Sequence, residues 1–297
     1  MTGSAKVRRV GILEMAGPDP LRVALWDVFR QRLRELGWSE GRNVNFEFRW
    51  ADGHEERLAG AAAELARESI DVLVTTGTPG ADAASRATSV LPIVMATGTA
   101  PPSPRANVAG VIDLPPGLSA KRLELLHQAV PGAAALAILL DRANSSSPRA
   151  ISEAQAAARP LGISVKDHWV QGPDHFGDAL AAMTKDKAGG FVIAPGAMFF
   201  ARRKELAALA LEHRLPSMSV RKEYAEAGGL MSYGAPIRDN YRRAAVYVDR
   251  ILRGAKPEEL PLDGPTEFEL VVNLKVAEEL NLPLPQSLLG GAETIGP

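Results

Sequence analysis

At 297 residues and 46% hydrophobic content, the chain is long enough for two domains or one large one with a substantial core. A formal net charge of −1 leaves no basic footprint, so no nucleic-acid partner is expected. Zero cysteines exclude disulfides, thiolate metal sites and cysteine nucleophiles, and with them the two-thiol racemases that also place α/β lobes around a cleft.

The first part of the chain alternates strand and helix, the pattern of a parallel sheet covered on both faces. Val7 to Leu13 reads as a short buried strand, and Leu25, Val28, Phe29, Leu33 and Leu36 mark a helix that Gly37 stops. Val44, Phe46, Phe48 and Trp50 alternate with Asn45, Glu47 and Arg49, a period-two strand. Leu58, Ala61, Ala62 and Leu65 give a second helix, and Asp71 to Thr75 a third strand. Thr78-Pro79 has the order of an N-cap followed by proline at the first helical position. Ile93 to Ala96 is a fourth strand.

Ser119 to Gln128 predicts a helix with Leu123 and Leu126 inward, and Ala134 to Leu140 a continuous apolar strand. Ser147-Pro148 repeats the cap-then-proline start of a helix running to Leu161. Strands follow at Ile163 to Trp169, Phe191 to Ala194 and Pro216 to Val220, with helices near 175–184 and 201–213. Gly228-Gly229 then punctuates a short apolar run, Leu230, Met231 and Tyr233, which Gly234 and Pro236 end. Tyr241, Ala244, Ala245, Val248, Ile251 and Leu252 recur at helical spacing, with Arg242, Arg243, Asp249 and Arg253 placed off that face. Gly254 and Pro257 terminate this helix, which is long enough to return to the first lobe.

Ligands of open parallel sheets collect where strand ends lead into helix N-termini, whose unpaired N–H groups favour anions. Two loops fit: Thr75-Thr76-Gly77-Thr78-Pro79, and Ala96-Thr97-Gly98-Thr99. Each sets threonine hydroxyls either side of a glycine that permits close approach. Thr76, Gly77, Thr78, Thr97 and Thr99 are therefore candidate ligand contacts, as are Met15 and Ala16 after the first strand. The competing reading is that Thr78 only caps its helix and Gly77 only turns the chain. In the second half, Asp141 can pair with a ligand ammonium or accept from its own turn. Phe199 and Phe200 can form a stacking wall or belong to the core, and Tyr233 closes a strand.

Signals for catalysis are poor. His54, His127, His168, His175 and His213 show no metal-ligand spacing and read mostly as surface residues. There is no G-x-S-x-G elbow, no G-x-x-x-x-G-K-[ST] loop and no G-x-G-x-x-G after the first strand. No enzyme activity, catalytic residue, metal or cofactor is expected. Glu47, Glu55 and Glu56, with Arg202-Arg203-Lys204 and Arg242-Arg243, read as solvated surface. No apolar run approaches the roughly 20 residues of a membrane span. The opening MTGSAKVRRVGIL lacks the apolar core and cleavage site of a signal peptide.

Residues 223–261, EYAEAGGLMSYGAPIRDNYRRAAVYVDRILRGAKPEELP, resemble the substrate-binding proteins of ABC importers related to the tryptophan/tyrosine-binding type, as does FELVVNLKVAEELNLPLP after them. FRQRLRELGWSEGRNVNFEFRWADGHEERLAGAAAELARESIDVLVTTGT is similar to that family's first half, KRLELLHQAVP to its crossover, and EHRLPSMSVRKEYAEAGGLMSYG to the end of its second lobe. The stretch from Thr97 to Pro116 departs from the family's longer Gly-rich loop. Ala194, before Pro195, stands where the family often has an acidic residue, which leaves room for a carboxylate ligand lacking an amine.

The resemblance implies an α/β, type I periplasmic-binding-protein architecture: two Rossmann-like lobes, each a parallel sheet flanked by helices, with a three-segment hinge near 114–119, 234–238 and 262–268. The lobes are expected over 6–116 plus about 236–264, and over 117–235, with the 265–297 tail able to pack on the latter. It implies a solute-binding component of an ABC importer that holds an amino acid or other carboxylate, aromatic by analogy, in the interlobe cleft. The expected partners are that small molecule and a membrane ABC permease, the protein itself being a monomer. The expected location is periplasmic, or lipid-anchored outside the cell, after removal of a leader; it is cytoplasmic if Met1 is the native start. A ligand-sensing domain of the same fold acting in signalling is the alternative, and an enzyme the third possibility.

Overall fold

The computed structural model describes residues 6–100 and 105–296. It divides into two compact units, Met1–Pro115 with Ile237–Pro265, and Pro116–Pro236 with Thr266–Pro297.

The first unit begins with β1 (Arg8–Glu14), buried from Val10 onward. α1 (Pro20–Glu35) starts where the Asp19 carboxylate accepts from Leu21 N at 2.8 Å and Arg22 N at 3.0 Å, with Pro20 as the first helical residue. β2 (Val44–Trp50), α2 (Glu55–Arg67), β3 (Val72–Thr75), α3 (Gly77–Ala87), β4 (Ile93–Met95) and β5 (Val108–Val111) follow. β5 lies within the stretch that sequence reading left unassigned. Its Gly110 has φ +125°, and a Cβ there would stand 2.3 Å from the Met95 carbonyl oxygen, so a glycine lets these strands meet.

The second unit runs through α4 (Leu118–Ala129), β6 (Ala135–Asp141), α5 (Ser147–Leu161), β7 (Ser164–Val170), α6 (Phe176–Lys185), β8 (Phe191–Ile193), α7 (Ala197–Ala201), α8 (Arg203–Glu212), β9 (Ser217–Ser219), α9 (Lys222–Glu226) and β10 (Met231–Gly234). α10 (Ile237–Leu252) and β11 (Leu262–Asp263) return to the first unit, and β12 (Glu269–Asn273), α11 (Leu274–Glu279), α12 (Gln286–Leu289) and β13 (Ala292–Ile295) to the second. The first sheet has the order β11-β5-β4-β3-β1-β2 and is parallel throughout. The second, β13-β12-β10-β9-β8-β6-β7, contains one antiparallel pair, β10 with β12, so it is not wholly parallel as expected. Residues 266–296 are thus woven into the second unit's sheet by β12 and β13.

In the first unit's core, the fully buried Trp26 makes edge contacts with Phe29 at 5.4 Å, Phe48 at 5.8 Å and Tyr241 at 5.0 Å. These rings join α1, β2 and α10, which explains the apolar stripes of all three. Asp249 is buried rather than off the packed face: it accepts from Trp38 Nε1 at 2.8 Å and from Arg253 Nε at 2.6 Å. The second unit's core gathers Leu136 to Leu140 of β6, Phe176, Phe191 and Leu206.

Two helix starts correct the sequence expectation. α3 begins at Gly77 with Thr76 at the cap position, which places Thr78 inside the first turn and Pro79 third. Proline is tolerated there because first-turn N–H groups lack intrahelical acceptors. Similarly, Ser146 precedes α5 and Ser147 is its first residue, the Ser147 hydroxyl donating to the Asp141 carbonyl at 2.8 Å. The region read as one helix near 201–213 is split into α7 and α8 at Arg202.

Candidate functional site

The carboxyl ends of β1, β3 and β4 bring three candidate loops of the first unit together. At Gly77 the backbone has φ +72°, and its N–H donates to Thr97 Oγ1 at 2.9 Å and to the Thr97 carbonyl at 3.1 Å. This locks the start of α3 onto the loop after β4. Gly98 has φ +130°, and a Cβ there would lie 3.0 Å from Thr78 N, so the two loops approach at a distance that a side chain would obstruct. Thr99 N–H donates to Thr78 Oγ1 at 3.1 Å, and the two hydroxyls share a 2.9 Å hydrogen bond. Two hydroxyls carry two protons and this bond uses one, so one O–H of the pair is left to donate elsewhere.

Thr76 behaves differently. Its hydroxyl donates to Glu14 Oε1 at 2.7 Å, and both residues are buried. The same carboxylate accepts from Ala16 N at 3.2 Å through Oε1 and from Trp26 Nε1 at 3.1 Å through Oε2. Arg22 Nη1 stands 3.8 Å from Oε1 and donates to the Tyr241 hydroxyl at 3.3 Å. Burial works against the Arg22 charge, but Glu14 first and Tyr241 next outweigh it and raise its affinity for the proton. Met15 and Ala16 are buried beside this network, Met15 through a carbonyl that accepts from Gly53 N at 2.8 Å.

A second carboxylate holds the neighbouring loop. Asp113, buried just beyond β5, accepts from Gly98 N at 2.6 Å and from Asn240 Nδ2 of α10 at 3.2 Å. Sequence reasoning missed both Glu14 and Asp113. The signal for Glu14 was available: a lone acidic residue directly after the apolar run Val10 to Leu13, at the ligand end of a strand.

In the second unit Asp141 is buried at the end of β6, and its Oδ1 accepts from Ala143 N at 2.9 Å, the turn reading of this residue. Burial raises its pKa from the ordinary value, opposed by that N–H. Phe199 belongs to the core, 3% exposed with its ring 5.8 Å from Phe176, so it is no free wall. Phe200 lies under the Arg203 guanidinium, 5.2 Å from its ring centre, and Arg203 also donates to the Phe200 carbonyl, so Arg203 is not merely solvated surface. Tyr233 is half-buried, its ring stacked on Phe268 at 5.8 Å and its carbonyl accepting from Arg122 Nε at 2.8 Å. Only His54 and His175 of the histidines are exposed; His127, His168 and His213 are half-buried. Among the described residues no three acidic or histidine side chains gather as a metal site. Among them, too, no helix is long and apolar enough to cross a membrane.

The ABC transporter substrate-binding protein family model matches residues 12–295. A tyrosine-binding protein of Clostridioides difficile (strain R20291) is 21% identical over 291 residues, which cover 95% of this chain and 83% of that relative. A Streptococcus pneumoniae ABC domain solved in complex with L-Trp superposes with a TM-score of 0.88 at 22% identity, covering 98% of this chain and 100% of that one. A conserved domain protein from Vibrio cholerae gives 0.90 at 23% identity, covering 97% and 99%. The architecture is therefore that of the type I periplasmic binding proteins, with two largely parallel sheets flanked by helices. By a family match that begins in β1 and ends in β13, this chain belongs to the ABC transporter substrate-binding proteins.

Proposed function

We propose that the protein is the solute-binding component of an ABC importer, working with a membrane permease outside the cytoplasm, and that its ligand is a small organic carboxylate, an aromatic amino acid being the first candidate. The observation that carries this reading is the Thr78–Thr99 hydroxyl pair with its one unused proton, set at the first turn of α3. A carboxylate there meets an O–H donor and the Thr78 N–H, which lacks an intrahelical acceptor, at the positive end of a helix. Thr76, by contrast, has committed its proton to Glu14 and is not a donor to the carboxylate. The tyrosine and tryptophan named for the two relatives support the ligand class.

Binding without turnover is part of this reading, and membership of a family of substrate-binding proteins supports it. A thermal-shift screen against amino acids, aromatic acids, dicarboxylates and sugars tests the reading. A ligand at a hundredfold excess over Kd stabilises the fold by about 2.7 kcal/mol. Stabilisation by sugars alone, or multiple-turnover product formation from a stabilising ligand, would contradict it.

A further inference from the structure

We propose that Glu14 is a positioning residue that makes the site selective for a ligand bearing an ammonium group beside its carboxylate; this rests on the reading above that the ligand lies at the Thr76–Thr78 loop. A carboxylate can only accept hydrogen bonds, so the 2.7 Å contact directs the Thr76 hydroxyl proton at Glu14 Oε1. With that proton engaged, Thr76 Oγ1 has only its lone pairs left to offer, and acts as an acceptor. Two residues on, the Thr78–Thr99 pair keeps a proton, and Thr78 adds an N–H at a helix N-terminus. One short loop thus presents an acceptor at Thr76 and donors at Thr78.

An α-amino acid has the complementary order, a cation and an anion on one carbon. A plain carboxylic acid leaves the Thr76 acceptor without a donor, and its own oxygens are repelled there. Glu14 is buried, with Ala16 N–H and Arg22 on the oxygen that Thr76 uses and Trp26 Nε1 on the other. It therefore acts through Thr76 rather than by touching the ligand.

The test compares two pairs of probes by calorimetric titration: L-tyrosine with 3-(4-hydroxyphenyl)propionate, and L-tryptophan with indole-3-propionate. The wild-type protein should favour the amino acid of at least one pair by about tenfold or more, the scale of a hydrogen bond to a charged group. Glu14→Gln should bring that ratio to within about twofold, because an amide can donate to Thr76 and return its proton towards the ligand. Thr76→Val should do the same by removing the acceptor, and it decides the matter if the Gln variant fails to fold. Thr76→Ser should restore the ratio. A merely structural role for Glu14 would weaken both members of a pair equally and leave the ratio fixed. A ratio near one in the wild type, or one unchanged in both Glu14→Gln and Thr76→Val, overturns the proposal while leaving the solute-binding reading intact. No binding of any of the four probes removes the aromatic-ligand reading and this proposal with it.

Discussion

Replacing Thr78 by valine separates what this residue does for the fold from what it does for the ligand. Valine keeps the branched shape but removes an oxygen that accepts from Thr99 N and bonds the Thr99 hydroxyl. Because Thr76 and not Thr78 occupies the cap position, no helix cap is lost. The structural cost is one buried N–H left without its acceptor, about 1–3 kcal/mol. At about 2–4 °C per kcal/mol for a protein of this size, the melting temperature should fall by several degrees. The binding cost is separate: the remaining hydroxyl proton then belongs to Thr99 alone and is no longer held in place by Thr78 at the first turn of α3, weakening affinity for a carboxylate by about tenfold. Thr78→Ser should recover both losses. Calorimetric titration with a ligand found by screening, alongside urea unfolding, reads the two quantities. Reduced stability with unchanged affinity would show that the pair only fastens the loops together, and would move the anion anchor elsewhere.

Three further outcomes follow from the packing. Phe199→Ala should lose about 3–5 kcal/mol in urea unfolding, as expected for a core aromatic, with affinity preserved in the folded fraction; loss of affinity at full stability would return Phe199 to the site. Gly110→Ala should cost about 3 kcal/mol or more, because alanine must adopt φ +125° with its Cβ against the Met95 carbonyl; a neutral effect by the same measurement would refute that contact. For Asp141 the sign runs from its pKa, which burial raises in the folded state. Between the ordinary carboxylate value and the raised one the fold holds more proton than the unfolded chain, so stability falls as pH rises through that window. Asp141→Asn should flatten this dependence in urea titrations across acidic pH, and an unchanged slope would show that another group is responsible.

Much of the fold was legible because it rests on periodic patterns. The alternation of β2 and the stripe of α10 both exist to surround Trp26, and each pattern is visible without the partner. The cap-then-proline order located helix starts to within two residues but misassigned the cap at Thr78 and Ser147, since proline is tolerated throughout the first turn. Asp19-Pro20 carries the same order at α1, where it does cap. Short strands such as β5 and β11 were illegible: four and two residues give no period, and only sheet pairing defines them. The side of the β10–β12 pair that runs antiparallel is likewise a property of the return path, not of local residues.

The candidate site's hydroxyls and glycines could be picked out of the sequence and its two carboxylates could not, for a physical reason. Threonine beside glycine at a strand end is local chemistry, whereas Glu14 and Asp113 take their roles from residues up to 127 positions away. Glu14 ends β1 and Asp113 follows β5, two strands of one sheet, and each accepts from loops that carry candidate ligand contacts: Glu14 from Thr76 and Ala16, Asp113 from Gly98. Burying two acids is costly unless their lone pairs are satisfied. Satisfying them from these loops fixes in advance which loop protons remain for a ligand. Loops held this way lose little freedom on binding, so more of the contact energy appears as affinity. Under the proposed reading, the same arrangement makes selectivity depend on residues that need not touch the ligand. On that reading, a search for specificity confined to the loop threonines would miss the group that sets whether Thr76 gives or takes a proton.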